Sequence, residues 1–366
     1  MSDESTRVSF FKTPYLAQFA LGRTTSVVGA QIVTVTAGYE LYQRTHDPWM
    51  VGLTGLFELL PVLFLMIPAG TAADTYPRRN VGVFAQILLA FASLGLALVS
   101  YKHWPIASMY GLLVIVGAAR AFASPSLGSI MPQLVTKAQL PATVAWLSSS
   151  YELASIGGPA LSGFLIAVSP SFAYGAAAVG QVIFIAMLFT LPAMPPKHDV
   201  QRKAEDVLVG FRFIKSNPLF LSAITLDLFA VLFGGAVSLL PVFAADILAV
   251  GPRGLGWLRA APAFGALTMA LVLTRTRPWA RPGRVLYVAV IGFALATIAF
   301  GVSRSFVLSM VCLYATGLFD EVSVVIRSTL QQTITPDYLR GRVSAVNYVF
   351  IGFSNEFGAF ESGTAA

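Results

Sequence analysis

Five ionisable residues, Arg23, Arg120, Glu152, Asp227 and Asp320, stand inside long apolar stretches of this 366-residue chain. An ionised side chain at the centre of a hydrocarbon layer costs from about 2.5 kcal/mol upward, so such residues mark cavities, substrate paths or proton relays. A carboxyl group that is neutral beside apolar walls and ionised beside a guanidinium can load and release a proton as its surroundings change. The expected chemistry is therefore ion pairing combined with proton exchange. Arg120 pairs with Glu152 or Arg23 opposes an acid, and Asp227 or Asp320 carries the proton. Arg327 follows Asp320 by seven residues and shares its helical face, with Ser323 between them. The competing reading of the same residues is a set of static ion pairs that hold helices together.

Positioning such groups requires a membrane-spanning scaffold, and the composition supplies one. Only 11% of residues are charged and 56% are hydrophobic, where soluble domains carry about 25% charged residues. Runs such as 84–99 are apolar in both phases, which excludes transmembrane β-strands with their alternating pattern. The hydropathy pattern predicts helices over 14–42, 50–73, 81–101, 107–130, 142–168 and 172–192, then 217–242, 254–274, 285–302, 306–331 and 342 to the end. At 1.5 Å per residue the five charged residues all lie roughly 14–17 Å from the helix ends on one side, which is one layer near the midplane. Glu58 is expected nearer the opposite mouth. Asn347, Asn355 and Glu356 are expected to face protein or cavity rather than lipid.

Two halves are expected: residues 1–192 with six helices, a charged and proline-opened linker over 193–216, and an incomplete half over 217–366. The segments 133–144 and 332–343 share Gln, Thr, Leu and Val at a constant offset of 199 residues, which implies two parallel repeats. Of the 24 Lys and Arg residues, sixteen fall in the breaks on one side, five on the other (Arg44, Lys102, Arg253, Arg259 and Arg304), and three within helices. That bias places the N-terminus in the cytoplasm of a multi-pass protein of the cell membrane. The acids that precede the first bases, and Arg23 within the first apolar run, speak against a cleaved signal peptide.

Several function classes find no support. The bases are scattered rather than arranged in a stripe for nucleic acid, and no phosphate-binding Gly-x4-Gly-Lys-[Ser/Thr] loop occurs. His46, His103 and His198 lie in breaks, so no metal centre is expected, and Cys312 reads as a small core residue. No cofactor, nucleotide or enzymatic reaction is expected.

The break between the second and third helices reads "PAGTAADTYPRRN". Its Gly70, Asp74, Arg78 and Arg79 match one by one the signature loop of the major facilitator superfamily, which the chain resembles over nearly its whole length. Pro77 stands where that family usually has glycine. Ser26, Gly29 and Gln31 in helix 1, residues 45–53, and Pro61 look like the exporter branch that includes enterobactin and macrolide efflux proteins. "SIGGPALSG", with Gly157, Gly158, Pro159 and Gly163, is similar to a helix-5 motif of antiporters, and its small residues four apart also suit helix packing.

The resemblance implies a two-half helical bundle with about 11 of 12 helices present, the chain ending where helix 11 ends, and a basic loop after helix 8 that lacks the second signature's Asp. It further implies that helices 1, 4, 7 and 10 line a central cavity and that Asp74, Arg78 and Arg79 gate it. The resulting expectation is a secondary transporter, proton-coupled, exporting small amphiphilic molecules of drug or siderophore type. The alternatives are an importer, or a truncated membrane protein with at most an interaction or regulatory role.

Overall fold

In the computed structural model the described residues are 14–136, 139–192, 204–234, 237–276, 279–336 and 339–365. They form α-helices and one π-helical turn, with no strand among them. The first part of the expected linker, 193–203, lies outside the described residues. The helices are α1 (Pro14–Thr45), α2 (Pro48–Thr75), α3 (Arg78–Lys102), α4 (Ile106–Gly128), α5 (Met131–Leu134), α6 (Leu140–Ile166) and α7 (Pro170–Thr190). They continue as α8 (Ala204–Ser216), α9 (Pro218–Phe233), α10 (Leu240–Val242), a π-helical turn (Phe243–Ile247), α11 (Gly251–Leu273), α12 (Pro282–Val302), α13 (Phe306–Ile334) and α14 (Arg340–Ala365).

The sequence explains where these helices begin and stop. Proline opens α7, α9 and α12, where its missing N–H costs no hydrogen bond. The Ser169 hydroxyl caps α7 by accepting from the Phe172 N–H at 3.1 Å. His103 ends α3 in the left-handed region at φ 53°. Seven helices (α2, α3, α4 with its continuation through α5, α7, α11, α12 and α13) are long and apolar enough to cross a membrane among the described residues. Large apolar side chains point outward, including Phe64 at 78% and Val302 at 75% exposure, which is the surface a hydrocarbon solvent selects. The protein is an all-α polytopic membrane protein.

The chain divides into two compact units: residues 1–40 with 57–202, and residues 41–56 with 203–366. In unit 1, α3 packs against α4 and α7; in unit 2, α13 packs against α11 and α12, and α14 against α8 and α9. Helix starts repeat between the halves. Pro14 and Pro218, like Arg78 and Pro282, lie 204 residues apart; Ile106 and Phe306, like Leu140 and Arg340, lie 200 apart. The expected helix over 217–242 is interrupted after Phe233 and resumes at Leu240, and part of the expected linker is the helix α8.

Candidate functional site

Unit 1 holds a buried ion pair built on a close helix crossing. Gly117 of α4 lies directly against the Glu58 carbonyl of α2, where any side chain would meet backbone. Small residues at such crossings let helices approach in the absence of a hydrophobic drive. One turn further along α4, the Arg120 guanidinium then reaches Glu58, forming an ion pair through Nη1, while Nη2 donates to the Thr34 hydroxyl of α1 at 2.8 Å. Glu58 is only 3% exposed. Glu58 lies ten residues beyond Pro48, roughly 15 Å along α2, and so nearer the Pro48 end than the Thr75 end, and it is turned into the bundle. The Glu152 side chain, the acid expected for Arg120, lies outside the described ones. Arg23 is half-buried in α1.

Unit 2 repeats the crossing with different charges. Gly317 of α13, 200 residues after Gly117, lies against the Pro262 carbonyl of α11. Asp320 stands 200 residues after Arg120, and Asp227 stands 204 after Arg23, so acids occupy the places of the first half's bases. Arg327 Nη2 pairs with Asp227 Oδ1 at 2.8 Å, its Nε donates to the Ser323 hydroxyl at 3.2 Å, and that hydroxyl donates to Asp227 at 3.4 Å. Asp227 and Arg327 are 7% and 8% exposed. Asp227, Asp320 and Ser323 border a cavity of about 10 Å³, closed by Ala289, Val290 and Phe293 of α12. That is room for about one water. The three charged groups therefore sit inside unit 2, Arg327 in contact with Asp227 and Asp320 on the cavity wall that Asp227 also lines.

The basic loop is mostly helical. Gly70 and Asp74 lie in the last turns of α2, and Arg78 and Arg79 open α3. Arg78 donates to the Ser129 carbonyl at 3.1 Å and Arg79 to the Leu191 carbonyl at 2.7 Å, at the C-terminal ends of α4 and α7. Each cation thus satisfies a helix-end carbonyl and complements the negative end of a helix dipole. Asp74 is half-buried, with no hydrogen bond or ion pair among the described residues.

The helix-1 motif contacts three neighbours. Ser26 donates to Gln86 of α3 at 2.8 Å. A Cβ on Gly29 would stand 2.9 Å from the Ala177 carbonyl of α7, and one on Gly158 of α6 would stand 2.7 Å from the Gln31 Cβ. Within "SIGGPALSG", Gly158 is thus the packing glycine, Gly157 faces open space, Pro159 accepts the Ser162 hydroxyl at 2.6 Å, and Gly163 is buried.

Sequence reasoning missed other polar groups. Arg259 lies within α11 rather than in an outer break. Asp246, in the π-helical turn, accepts the Tyr42 hydroxyl within unit 2. Glu40 is buried in α1. Asp246 sits at a helix irregularity that hydropathy does not register. Asn347 donates to Gln331 at 3.3 Å, Asn355 is exposed, and the Glu356 side chain lies outside the described ones.

A family model described as transmembrane secretion effector matches residues 6–366. The enterobactin exporter EntS of Shigella dysenteriae serotype 1 is 29% identical over 343 residues, covering 93% of this chain and 82% of that protein. EntS of Escherichia coli O139:H28 matches at the same identity and coverage. Among solved structures, a bacterial homologue of the human lysosomal transporter Spinster superposes with a TM-score of 0.76 at 16% identity, over 98% of this chain and 83% of that one. A bacterial homologue of the iron transporter ferroportin gives 0.73 at 16% identity, over 96% and 92%.

Proposed function

Because the chain belongs to the transmembrane secretion effector family of the major facilitator superfamily, we propose that it exports small amphiphilic molecules in exchange for protons. It works by alternating access of two helical halves in the cell membrane. Similarity to an enterobactin exporter supports the export direction and a substrate of drug or siderophore type. The sixteen-to-five bias of basic residues supports a cytoplasmic N-terminus. Asp74, Arg78 and Arg79 form the gate: the arginines tie the start of α3 to the ends of α4 and α7, so these helices move as one body, and Asp74 is left to change partner.

One observation carries the proton coupling. In unit 2 the Asp227 carboxylate pairs with Arg327, and a second carboxylate, Asp320, borders the same water-sized cavity as Asp227. With all three ionised, one negative charge is left over among apolar helices, where an uncompensated charge is expensive. Binding one proton closes that balance, and releasing it reopens the balance when access changes sides. Arg23, Arg120 and Glu152 complete the polar layer in the first half.

The test is efflux of a catecholate siderophore and of fluorescent amphiphilic dyes from pump-deficient bacteria expressing the chain. Export of at least one probe should stop when a protonophore collapses the gradient, and Asp227→Asn or Asp320→Asn should abolish gradient-driven export in protein that still reaches the membrane. Export that persists without the gradient, or that survives both substitutions with its pH dependence unchanged, overturns the coupling.

A further inference from the structure

Two arginines inside the spanning helices are matched: Arg120 and Arg327 each pair with a carboxylate and bond to a hydroxyl. Arg259 is different. It lies eight residues beyond Gly251, about 12 Å along α11 at 1.5 Å per residue, in a helix long and apolar enough to cross a membrane. Its Nε–H is shut off from solvent, and no hydrogen bond or ion pair reaches the guanidinium among the described residues. The side chain as a whole is only half-buried, so a ligand can reach it. A guanidinium stays ionised at any pH a cell meets. An unmatched charge at that depth is expensive, and no described group of the protein offsets it.

Two structural roles for this cation fail on the geometry. Arg259 stands three residues before Pro262, whose carbonyl lies against Gly317 in the crossing of α11 with α13. In unit 1 the same crossing sets Glu58 against Gly117, and the residue three before Glu58 is Gly55. That crossing forms with no side chain at the place of Arg259, so the cation is not needed to build it. Nor does Arg259 serve the lipid face. Arg253, Trp257, Phe264, Thr268 and Leu271 belong to the exposed stripe of α11, and a residue two after Trp257 points about 200° away from it around the helix. An arginine that reached for headgroups would carry its guanidinium to the interface, whereas this Nε–H is enclosed. The surroundings of Arg259 are also those of α11 itself. In unit 1, α7 packs on α3, α6 and α1, whose counterparts by position are α12, α14 and α9, so the seat of an α7 counterpart lies on helices other than α11.

We propose that Arg259 receives a carboxylate of the exported molecule. This rests on the export reading above and narrows it to amphiphiles that carry such a group. A guanidinium presents a rigid planar fork that meets both carboxylate oxygens at once. The same turns of α11 bury Leu255, Leu258, Ala260 and Ala261, and such apolar surroundings strengthen a charge-assisted hydrogen bond relative to water. The negative charge of the ligand closes the balance that the helix leaves open.

The experiment uses the full chain, purified in mild detergent, and fluorescent amphiphiles that carry a carboxylate: dansylglycine, pyrenebutyrate and anthranilate, each paired with its methyl ester. Equilibrium binding is measured against detergent alone. At least one carboxylate should bind about tenfold or more tightly than its ester. In Arg259→Gln that preference should fall below about threefold while the ester binds as before. Arg259→Lys should keep part of it, and Arg253→Gln, which removes an exposed base of the same helix, should keep all of it. Arg259→Gln should leave the thermal midpoint unchanged or raise it, because the guanidinium bonds to no described group. A lowered midpoint shows that Arg259 holds the fold, and overturns the proposal. So does the lack of any preference for a carboxylate over its ester, or a preference that Arg259→Gln retains. Inorganic phosphate that displaces the probes at equal concentration shows a general anion site, and a phosphatidylglycerol retained by the chain but lost from Arg259→Gln in native mass spectrometry shows a headgroup site; either result overturns it. Efflux from cells separates the carboxylate contact from export itself. Export of the esters but not of the carboxylates by Arg259→Gln supports both, and equal export of the carboxylates by Arg259→Gln and the unsubstituted chain overturns the contact alone. A binding preference that follows Arg259 in a chain that exports nothing upholds the contact and counts against export.

Discussion

The two halves carry the same helix crossing and opposite charges. In unit 1, Gly117 brings α2 onto α4, and Arg120 pairs with Glu58 and donates to Thr34. In unit 2, Gly317 brings α11 onto α13, yet the ion pair sits between α9 and α13, where Arg327 meets Asp227, and Asp320 borders the same small cavity as Asp227. The proposed coupling assigns ion exchange to the acids of unit 2 and a structural role to the Arg120–Glu58 pair of unit 1.

The comparison is tested most sharply by removing Glu58. Glu58→Gln removes the carboxylate that pairs with Arg120 from α2 and should cost about 3 kcal/mol, read as a lower thermal midpoint and less monodisperse protein in detergent. The pair Glu58→Gln/Arg120→Gln should recover most of that loss, and a harmless single substitution would remove unit 1 from the structural role. In unit 2, Arg327→Gln leaves two acids together and should cost about 2 kcal/mol. Adding Asp320→Asn should restore stability but not gradient-driven efflux, and restored efflux would separate the cluster from coupling. Gly117→Val and Gly317→Val press a side chain onto a backbone carbonyl in each half and should each cost about 1–3 kcal/mol. Similar losses in the two variants would confirm that the crossings are equivalent, and unequal losses would break the analogy. Smallest is the loss of a helix-end contact: Arg79→Ala should cost about 0.3–1 kcal/mol. Arg78→Ala should cost less, its contact being longer at 3.1 Å than the 2.7 Å of Arg79.

Depth was legible from residue counts, and partnership was not. Asp227 and Asp320 were placed in one layer with Arg23, Arg120 and Glu152 by counting from the helix ends, and the shared face of Asp320, Ser323 and Arg327 followed from helical spacing. The ion pair itself crosses from α13 to α9, a fact no spacing along one helix contains. Arg120 shows the same limit: its depth was readable, but its described acid lies on α2, because Gly117 admits that helix. The interruption after Phe233 does not register in hydropathy, because the residues on both sides are apolar; its local signal is the Gly234-Gly235 pair that follows Phe233 in the sequence. Arg78 and Arg79 read as charges holding a loop on one side; their hydrogen bonds to the ends of α4 and α7 required the fold.

By itself the sequence determined the solvent and the all-helical, multi-span architecture. These follow from composition and from a fixed rise per residue, which are properties along the chain. The tertiary structure decided which charges meet and which glycines are crossings. Those depend on the rotation of each helix about its axis, set by packing against neighbours far away in sequence.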